Sequence, residues 1–218
     1  RITPRFSIVY SINESNEKFL RASAQTAFRF PSVVDQWTDL FVAPVNVVGG
    51  QKVLQDIYNL HDGNIYALDG NNPVLSKPIL TDEFNIPDLG PEQVKAFEIG
   101  YKGLYNDRRI LFDGYFFYNN YNGFLASQLL AQNPNTPDEK RFITTISLDQ
   151  AVSSYGWAIG LDYRMKNNFE LSTNISYNDV NTVMEPGFQI QFNTPDYRYN
   201  ISFGNRKITR NLGFNINY

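Results

Sequence analysis

Strict alternation of apolar and polar residues constrains this chain most, and it is clearest in residues 155–177, YGWAIGLDYRMKNNFELSTNISY. Its first half places apolar side chains at consecutive odd positions: Tyr155, Trp157, Ile159, Leu161, Tyr163 and Met165. Small or polar residues lie between them, and the alternation resumes at Phe169 after a Lys-Asn-Asn turn. Because successive side chains of a strand point to opposite faces, this segment predicts a β-hairpin with one aromatic-rich face.

The same alternation recurs in three other pairs of segments, so the sequence predicts eight strands in four hairpins. The other pairs are residues 2–12 with 19–30, 94–104 with 110–121, and 197–204 with 209–218. Short polar turns close the pairs, the last one at residues 205–207, whereas long or medium loops join one pair to the next. The longest loop, from Pro31 to about Pro91, is expected to be irregular because it holds most of the prolines.

The apolar face must contact either lipid or a protein core, and strand length, loop placement and aromatic distribution favour lipid. Strands of about ten residues approach the ~9–11 residues that cross a bilayer at a tilt. Short turns at one end and long loops at the other are typical of outer-membrane barrels. Aromatic girdles are expected at both membrane interfaces. The long-loop end holds Phe28, Phe30, Tyr118, Tyr155, Trp157, Tyr177 and Tyr199, and the short-turn end holds Tyr10, Tyr101, Phe112, Tyr163 and Phe169. A membrane β-barrel is therefore predicted, with a soluble β-sandwich as the alternative.

Composition excludes several other classes of protein. The 218 residues carry a formal charge of −3 without a dense cluster of Lys and Arg, so nucleic-acid binding is not expected. The absence of Cys removes disulfides and thiolate metal sites. No apolar run approaches the ~18 residues of a transmembrane helix, and the first residues, RITPRFSIVY, contain no signal peptide.

Three segments carry a resemblance to a known family. Residues 19–37, FLRASAQTAFRFPSVVDQW, end a strand in Ala-Phe-Arg-Phe-Pro-Ser before the long loop. Residues 89–124, LGPEQVKAFEIGYKGLYNDRRILFDGYFFYNNYNGF, join a Pro-Glu start to Glu-Ile-Gly-Tyr-Lys, a short turn and an aromatic strand. Residues 193–218, NTPDYRYNISFGNRKITRNLGFNINY, are similar to a later hairpin. In this order the segments resemble the barrel of TonB-dependent outer-membrane receptors over essentially the whole chain.

The resemblance implies that residues 1–218 are a portion of one all-β, antiparallel transmembrane barrel domain. Residues 31–91 would form a long extracellular loop, and the short turns would lie in the periplasm. Barrels of this family have about 22 strands around a plugged lumen. The family's plug domain and TonB box have no counterpart in this sequence.

The function that the resemblance implies is active import of a nutrient ligand across the bacterial outer membrane, the ligand being a siderophore, vitamin, peptide or glycan. This chain would supply barrel wall and ligand-selecting loops, with no enzymatic role, and TonB would act through the missing plug domain. Expected partners are outer-membrane lipid and a small-molecule or oligomeric ligand, and a surface lipoprotein partner stays an open question. The alternative is a complete, small, closed eight-stranded barrel with a structural or adhesion role.

Polar residues opposite the aromatic face are the candidates for contact with the plug or the ligand. These candidates are Arg21, Gln25, Arg29, Glu98, Lys102 and Asp113, to which the long loop adds Trp37. Asp162, Arg164 and Glu170 are predicted to face the lumen as well. Arg29 is preferred among them because it lies within the family-like motif near the outer mouth. The alternative is that a lumen wall is polar by default.

No catalytic, metal or cofactor site is expected. His61 is the only histidine and lies in the long loop, so a zinc or Ser-His site is not supported. Residues 61–72, HDGNIYALDGNN, offer oxygen ligands for calcium but lack the spacing of a twelve-residue calcium loop, so turn chemistry is preferred. The Asn-Ile-Ser sequences at Asn174 and Asn200 are expected to be polar strand positions.

Overall fold

The computed structural model describes residues 2–60, 64–69, 72–77, 86–134, 136–181, 188–189 and 195–218. In chain order the elements are β1 (Arg5–Ser11), β2 (Lys18–Arg29), α1 (Val33–Trp37), β3 (Asp39–Val42), β4 (Val45–Val48), α2 (Lys52–Ile57), β5 (Tyr66–Asp69), β6 (Asn72–Lys77), β7 (Glu92–Tyr105), β8 (Ile110–Asn122), β9 (Phe124–Gln132), β10 (Lys140–Leu148), β11 (Val152–Arg164), a 3₁₀ turn (Lys166–Asn168), β12 (Phe169–Asn181), β13 (Phe188–Gln189), β14 (Tyr197–Thr209) and β15 (Leu212–Asn217). Neither described helix is long and apolar enough to span a membrane.

The eight predicted strands form one antiparallel sheet, here called the main sheet, in the order β1-β2-β7-β8-β11-β12-β14-β15. Its four hairpins are the predicted ones, and the register confirms the predicted faces. Trp157, for example, lies opposite Tyr177 on β12 and Phe116 on β8, so all three point to the same side. β1 and β15 are the edges of this sheet, and it does not close on itself within the described residues.

One predicted turn is wrong. The sequence suggested a turn at residues 205–207, but β14 continues to Thr209 and the turn follows it. The buried Asn205 explains the difference, because its Nδ2 donates to the carbonyl of Asn167 in the neighbouring turn at 2.8 Å. Its Oδ1 accepts from the backbone N–H of Lys207 at 2.8 Å, and the ladder to β15 shifts register between Asn205 and Thr209. The polar cluster therefore forms a bulge within a strand.

Among the described residues, no protein packs on the aromatic-rich face of the main sheet. Phe97 is 51% exposed and Ile99 58%, although both lie in the middle of β7, and Phe6 on β1 is 68% exposed. Rings form one band near the long loops, where Tyr177 and Tyr197 are 4.8 Å apart. A second band lies near the short turns. A soluble β-sandwich would cover this face, so the sandwich alternative does not fit, whereas a lipid-facing wall with two girdles does.

The long loops build a second sheet, here called the loop sheet. Its order is β3-β4-β10-β9-β5-β6, with β13 also paired to β9. Its core consists of Val48, Leu60, Ile65, Leu130 and Phe142, and the Tyr58 ring packs edge-on against Phe142 at 5.6 Å. Nearly all the fully buried apolar side chains of the described residues belong to this layer and its junction with the main sheet.

The expectation of an irregular stretch from Pro31 to Pro91 is wrong for its described part, which contains two helices and four strands. The medium loop predicted around residues 132–141 lies between β9 and β10, but the prediction missed these two strands, which pair as a hairpin on either side of it. β4 pairs in parallel with β10 although the two are far apart in sequence. Such long-range pairing leaves no local signal in the chain, so alternation of apolar and polar residues cannot predict it.

The loop sheet is joined to the long-loop end of the main sheet by a buried polar contact. Glu92, 6% exposed at the start of β7, accepts the backbone N–H of Leu125 on β9 at 3.2 Å. Within the main sheet, Ser154, fully buried near the start of β11, accepts from Asn119 Nδ2 on β8 at 3.0 Å. Since buried polar groups are costly when unpaired, the bond between Leu125 and Glu92 helps to fix the position of the second layer on the first.

The first testable prediction concerns the contact between Tyr58 and Asp39 in the loop sheet. The Tyr58 hydroxyl donates to Asp39 Oδ1 at 2.5 Å, and this bond, burial and the negative charge of Asp39 raise the Tyr58 pKa above its usual 10.0. The contact therefore contributes fully below pH 10 and is lost as the pH rises through the raised pKa. Asp39→Asn should lower the Tyr58 pKa in a titration followed by tyrosine NMR, with Tyr58→Phe assigning the signal. Asp138→Asn, a loop acid elsewhere, should leave it unchanged; equal effects of the two substitutions would contradict the assignment.

Candidate functional site

Four of the predicted site residues come together on the polar face of the main sheet. Arg21 lies on β2, Glu98 and Lys102 on β7, and Asp113 on β8. These three strands are neighbours, and alternation turns all four side chains to the side opposite the aromatic bands. The sequence predicted the face correctly, and the register adds that Asp113 lies opposite Lys102, while Arg21 lies opposite Gly100, midway between Glu98 and Lys102.

The four side chains form a continuous ion network. Arg21 Nη2 lies 3.0 Å from Asp113 Oδ1, and Arg21 Nε lies 3.3 Å from Glu98 Oε1. Lys102 Nζ lies 3.8 Å from Asp113 Oδ2. The guanidinium also stacks over the Tyr115 ring, with its carbon 5.5 Å from the ring centre. Two cations and two carboxylates thus balance, and the network carries no net charge.

A glycine makes the network possible. Arg21 lies opposite Gly100 on β7, and Gly100 lies opposite Tyr115 on β8. A Cβ at Gly100 would be 2.7 Å from Arg21 Nε, closer than such atoms approach. The arginine therefore crosses the middle strand over the glycine and reaches a carboxylate two strands away. This close approach explains why β7 carries glycine at a position where strands normally prefer larger residues.

The network is partly shielded from water. The side chains of Arg21 and Asp113 are each 31% exposed, and that of Lys102 is 49% exposed. Arg21 Nε and Asp113 Oδ1 are inaccessible to solvent. Both atoms lie within ion-pair distance of an opposite charge, but neither makes a hydrogen bond of good geometry. Pairs this close to water contribute on the order of 1 kcal/mol or less each. Their main physical effect is to hold a set of charges in one arrangement on the wall.

The remaining predicted residues lie apart from this network. Gln25 shares its face but is four positions along β2, about 13 Å away at the usual rise of a strand. Arg29, the preferred residue, is exposed at the end of β2 opposite Glu92. Trp37 ends α1 and is 53% exposed. These three residues therefore belong to the upper wall and the loop layer.

Charged residues at the short-turn end form a separate group. Arg164 and Glu170 face each other across the third hairpin, and Glu170 pairs with Arg206 at 3.0 Å. Asp162 lies on the same side of β11. His61 lies outside the described residues, as do parts of residues 61–72, where calcium was considered. Among the described residues there is no group of three His, Cys, Asp or Glu that could hold a metal ion.

The structure also shows a recess, here called the polar recess, that the sequence did not predict. It has a volume of about 490 Å³ on the polar face between β8 and β15. Its lining includes Asp113, Gly160, Asp162, Ser172, Asn174, Asn200 and Ser202. Asn200 Nδ2 donates to Asn174 Oδ1 at 2.9 Å, so both residues are polar strand positions as expected. Small residues repeated at every second position on several strands are the signal that could have predicted this recess.

The polar wall therefore has two parts: the ion network over β2, β7 and β8, and a recess whose lining is rich in Asn and Ser and carries the carboxylates of Asp113 and Asp162. The arrangement is suited to contact with another surface or a passing solute. Such a wall, opposite a lipid-facing side, is the inner side of a membrane barrel.

Comparison with known proteins agrees with this architecture. The family model described as TonB dependent receptor-like, beta-barrel matches residues 1–218. Of the solved structures, the siderophore receptor PirA from Pseudomonas aeruginosa is similar over 99% of this chain and 29% of its own, at 13% identity and a TM-score of 0.56. The copper transporter OprC is similar over 92% of this chain and 23% of its own, at 11% identity and a TM-score of 0.54. No curated protein sequence matches the chain.

A third similar structure is the FrpB iron transporter from Neisseria meningitidis. It matches 98% of this chain and 25% of its own, at 15% identity and a TM-score of 0.50. At these identities the likeness concerns the fold. The chain spans less than a third of the length of each of these three structures.

The second prediction tests the role of Gly100. Gly100→Ala should displace Arg21 and cost about 1–3 kcal/mol of unfolding free energy through overpacking. Gly160→Ala is the matched control on the same face, because its Cβ would meet its nearest neighbour only at 3.8 Å. Urea unfolding of the protein in lipid vesicles measures both. In an Arg21→Met background the Gly100→Ala cost should shrink, and equal costs with and without Arg21 would contradict the crossing geometry.

Proposed function

Because the chain belongs to the TonB-dependent receptor-like β-barrel family of outer-membrane proteins, we propose that it forms wall and ligand-selecting loops of a receptor that imports a nutrient across that membrane. The observation that carries the proposal is the two-sided main sheet. One side is apolar, exposed and bounded by aromatic bands, and the other holds the balanced ion network and the polar recess. A wall between lipid and a polar lumen requires this division.

The openness of the main sheet supports a large barrel over the small closed one considered as the alternative. β1 and β15 keep unpaired edges within the described residues. In a bilayer each unpaired backbone group costs several kcal/mol, so these edges need further strands. The similar structures are more than three times as long as this chain, which agrees with a larger barrel.

In this proposal the two parts of the polar wall have different roles. The ion network on β2, β7 and β8 holds fixed charges toward a plug domain, and its zero net charge allows polar docking without strong attraction. The polar recess leaves space beside the network for a passing solute. TonB, coupled to the inner-membrane proton gradient, supplies energy through the plug domain. The loop sheet, whose hydrophobic core holds it rigid above the wall, selects the ligand.

The ligand class that we propose is a ferric siderophore. Two of the similar structures are named as a siderophore receptor and an iron transporter, and the motif at residues 89–103 resembles receptors of the siderophore and vitamin type. Residues 31–91 hold eight acidic and two basic side chains, so their field favours a neutral or cationic complex over a polyanionic one. A surface lipoprotein partner is not required by this proposal.

The test is uptake of radioactive iron by cells with and without the receptor gene. Catecholate, hydroxamate and carboxylate ferric siderophores are supplied separately, with cobalamin as a non-iron probe and a strain lacking TonB as control. The proposal expects uptake of one siderophore class to require both the receptor and TonB. Wild-type uptake of every iron compound in the receptor deletion would overturn the ligand class, and loss of cobalamin uptake alone would assign a vitamin instead.

A further prediction concerns Trp37 in the loop layer. Trp37→Ala should raise the Kd of the identified ferric siderophore about tenfold, since exposed aromatic residues often dominate recognition. Val33→Ala is the matched control, because Val33 lies on the same helix and is 74% exposed. Calorimetry on the purified receptor measures the Kd of each variant. If both variants bind the siderophore with the Kd of the wild type, Trp37 does not belong to the ligand site.

A further inference from the structure

A cation and two phenols meet on the lipid-facing side of the main sheet, at its short-turn end. Lys18 on β2 lies directly opposite Gly103 on β7. Tyr101 and Tyr105, two positions on either side of Gly103, lean over it and their hydroxyls are hydrogen-bonded to each other. The Lys18 ammonium lies 5.0 Å from the centre of the Tyr105 ring. Neither the proposed import nor the polar wall uses this group.

A glycine at position 103 allows the two tyrosine rings to come together. A Cβ at Gly103 would lie 2.8 Å from the Tyr101 hydroxyl and 2.8 Å from Tyr105 Cε2. Any larger residue would therefore separate the two rings. The lipid-facing surface therefore has a shallow depression over Gly103, here called the seat. The Lys18 ammonium lies on one side of the seat, and the hydroxyls of Tyr101 and Tyr105 lie on the other.

The chemistry of this seat suits a phosphate. The two tyrosine hydroxyls share one hydrogen bond, so one hydroxyl proton is free to be donated outward. The Lys18 ammonium has three donors and makes a cation–π contact that leaves them available. A phosphate oxygen accepts from both kinds of donor, and the ammonium neutralises its charge.

The position of the seat identifies the molecule that carries the phosphate. Lys18 directly follows the first short turn, where the Leu104 N–H donates to the Glu17 carbonyl at 2.8 Å, so it lies at the periplasmic membrane interface. On the lipid-facing side, Leu20 is the next side chain above Lys18 on β2, and Phe112 on β8 lies at the level of Gly103, so acyl chains would contact both. The inner leaflet of the outer membrane consists of glycerophospholipids.

Charge at this end of the sheet agrees with that position. The short turns and the strand residues beside them, 12–18, 105–110, 164–169 and 205–211, contain eight basic and three acidic side chains. A basic rim attracts anionic headgroups, whereas the acidic loop at the opposite end would repel them. We propose that Lys18, Tyr101 and Tyr105 bind the phosphate of a glycerophospholipid in the inner leaflet.

Native mass spectrometry of the intact receptor tests this site. The probes are phosphatidylglycerol and a diacylglycerol with the same acyl chains, which differ in the phosphate headgroup. The wild type should bind phosphatidylglycerol about five- to tenfold more tightly than the diacylglycerol. Lys18→Gln and Tyr105→Phe should each remove most of this preference, and Tyr105→Phe changes only one hydroxyl. Lys166→Gln, which removes a positive charge from another short turn, should keep it.

Two controls separate the possible results. Gel mobility of unheated samples verifies that each variant forms the barrel, so a loss of preference cannot come from misfolding. Glycerol 3-phosphate at millimolar concentration should not displace the lipid if acyl contacts contribute, and displacement would assign the site to a free phosphate ester instead. Equal preference in the wild type, Lys18→Gln and Tyr105→Phe overturns the proposal and leaves Lys18 as an interfacial lysine without a ligand.

Discussion

The rest of this structure depends on one constraint: inside a lipid bilayer the backbone has no water with which to form hydrogen bonds. Within a bilayer every N–H and C=O must find a partner in the chain, so long antiparallel ladders are required. The main sheet supplies them through strands of up to 14 residues. Alternation then places aromatic and aliphatic side chains against lipid and leaves the other side free for charges. The ion network, the polar recess and the proposed phosphate site are consequences of that division.

Hydrophobic burial is separated from the membrane wall in this protein. The compact cores lie in the loop sheet and at its junction, where Phe142 and Leu130 are almost completely inaccessible. The wall itself exposes its apolar residues, because lipid replaces a protein core. Glu92 on β7 joins the two layers by a buried hydrogen bond from the backbone N–H of Leu125 on β9. A loop layer with its own core is stiffer than free loops and can present residues such as Trp37 in a fixed arrangement.

Local sequence patterns predicted the strands and faces of the main sheet, whereas features that depend on pairing between distant residues could not be predicted. Alternation around Trp157 and Tyr177 predicted the hairpin and its faces, and the same rule placed Arg21 and Asp113 on one side. It could not show that Gly100 lets them meet, because that depends on the register of three strands. The pairing of β4 with β10 and the bulge at Asn205 rest on partners distant in sequence. The resemblance to a family supplied the function that no pattern of residues contains.

The most direct test of the central claim is the environment of the two faces in a lipid bilayer. The chain has no Cys, so spin labels can be attached singly at Ile159→Cys on the apolar side and Asn174→Cys on the polar side. Paramagnetic relaxation by oxygen, which concentrates in lipid, and by a water-soluble nickel complex reports the solvent at each label. The account predicts high oxygen and low nickel accessibility at position 159, with a lower ratio of oxygen to nickel at position 174. Equal or reversed ratios would contradict the assignment of the apolar face to lipid.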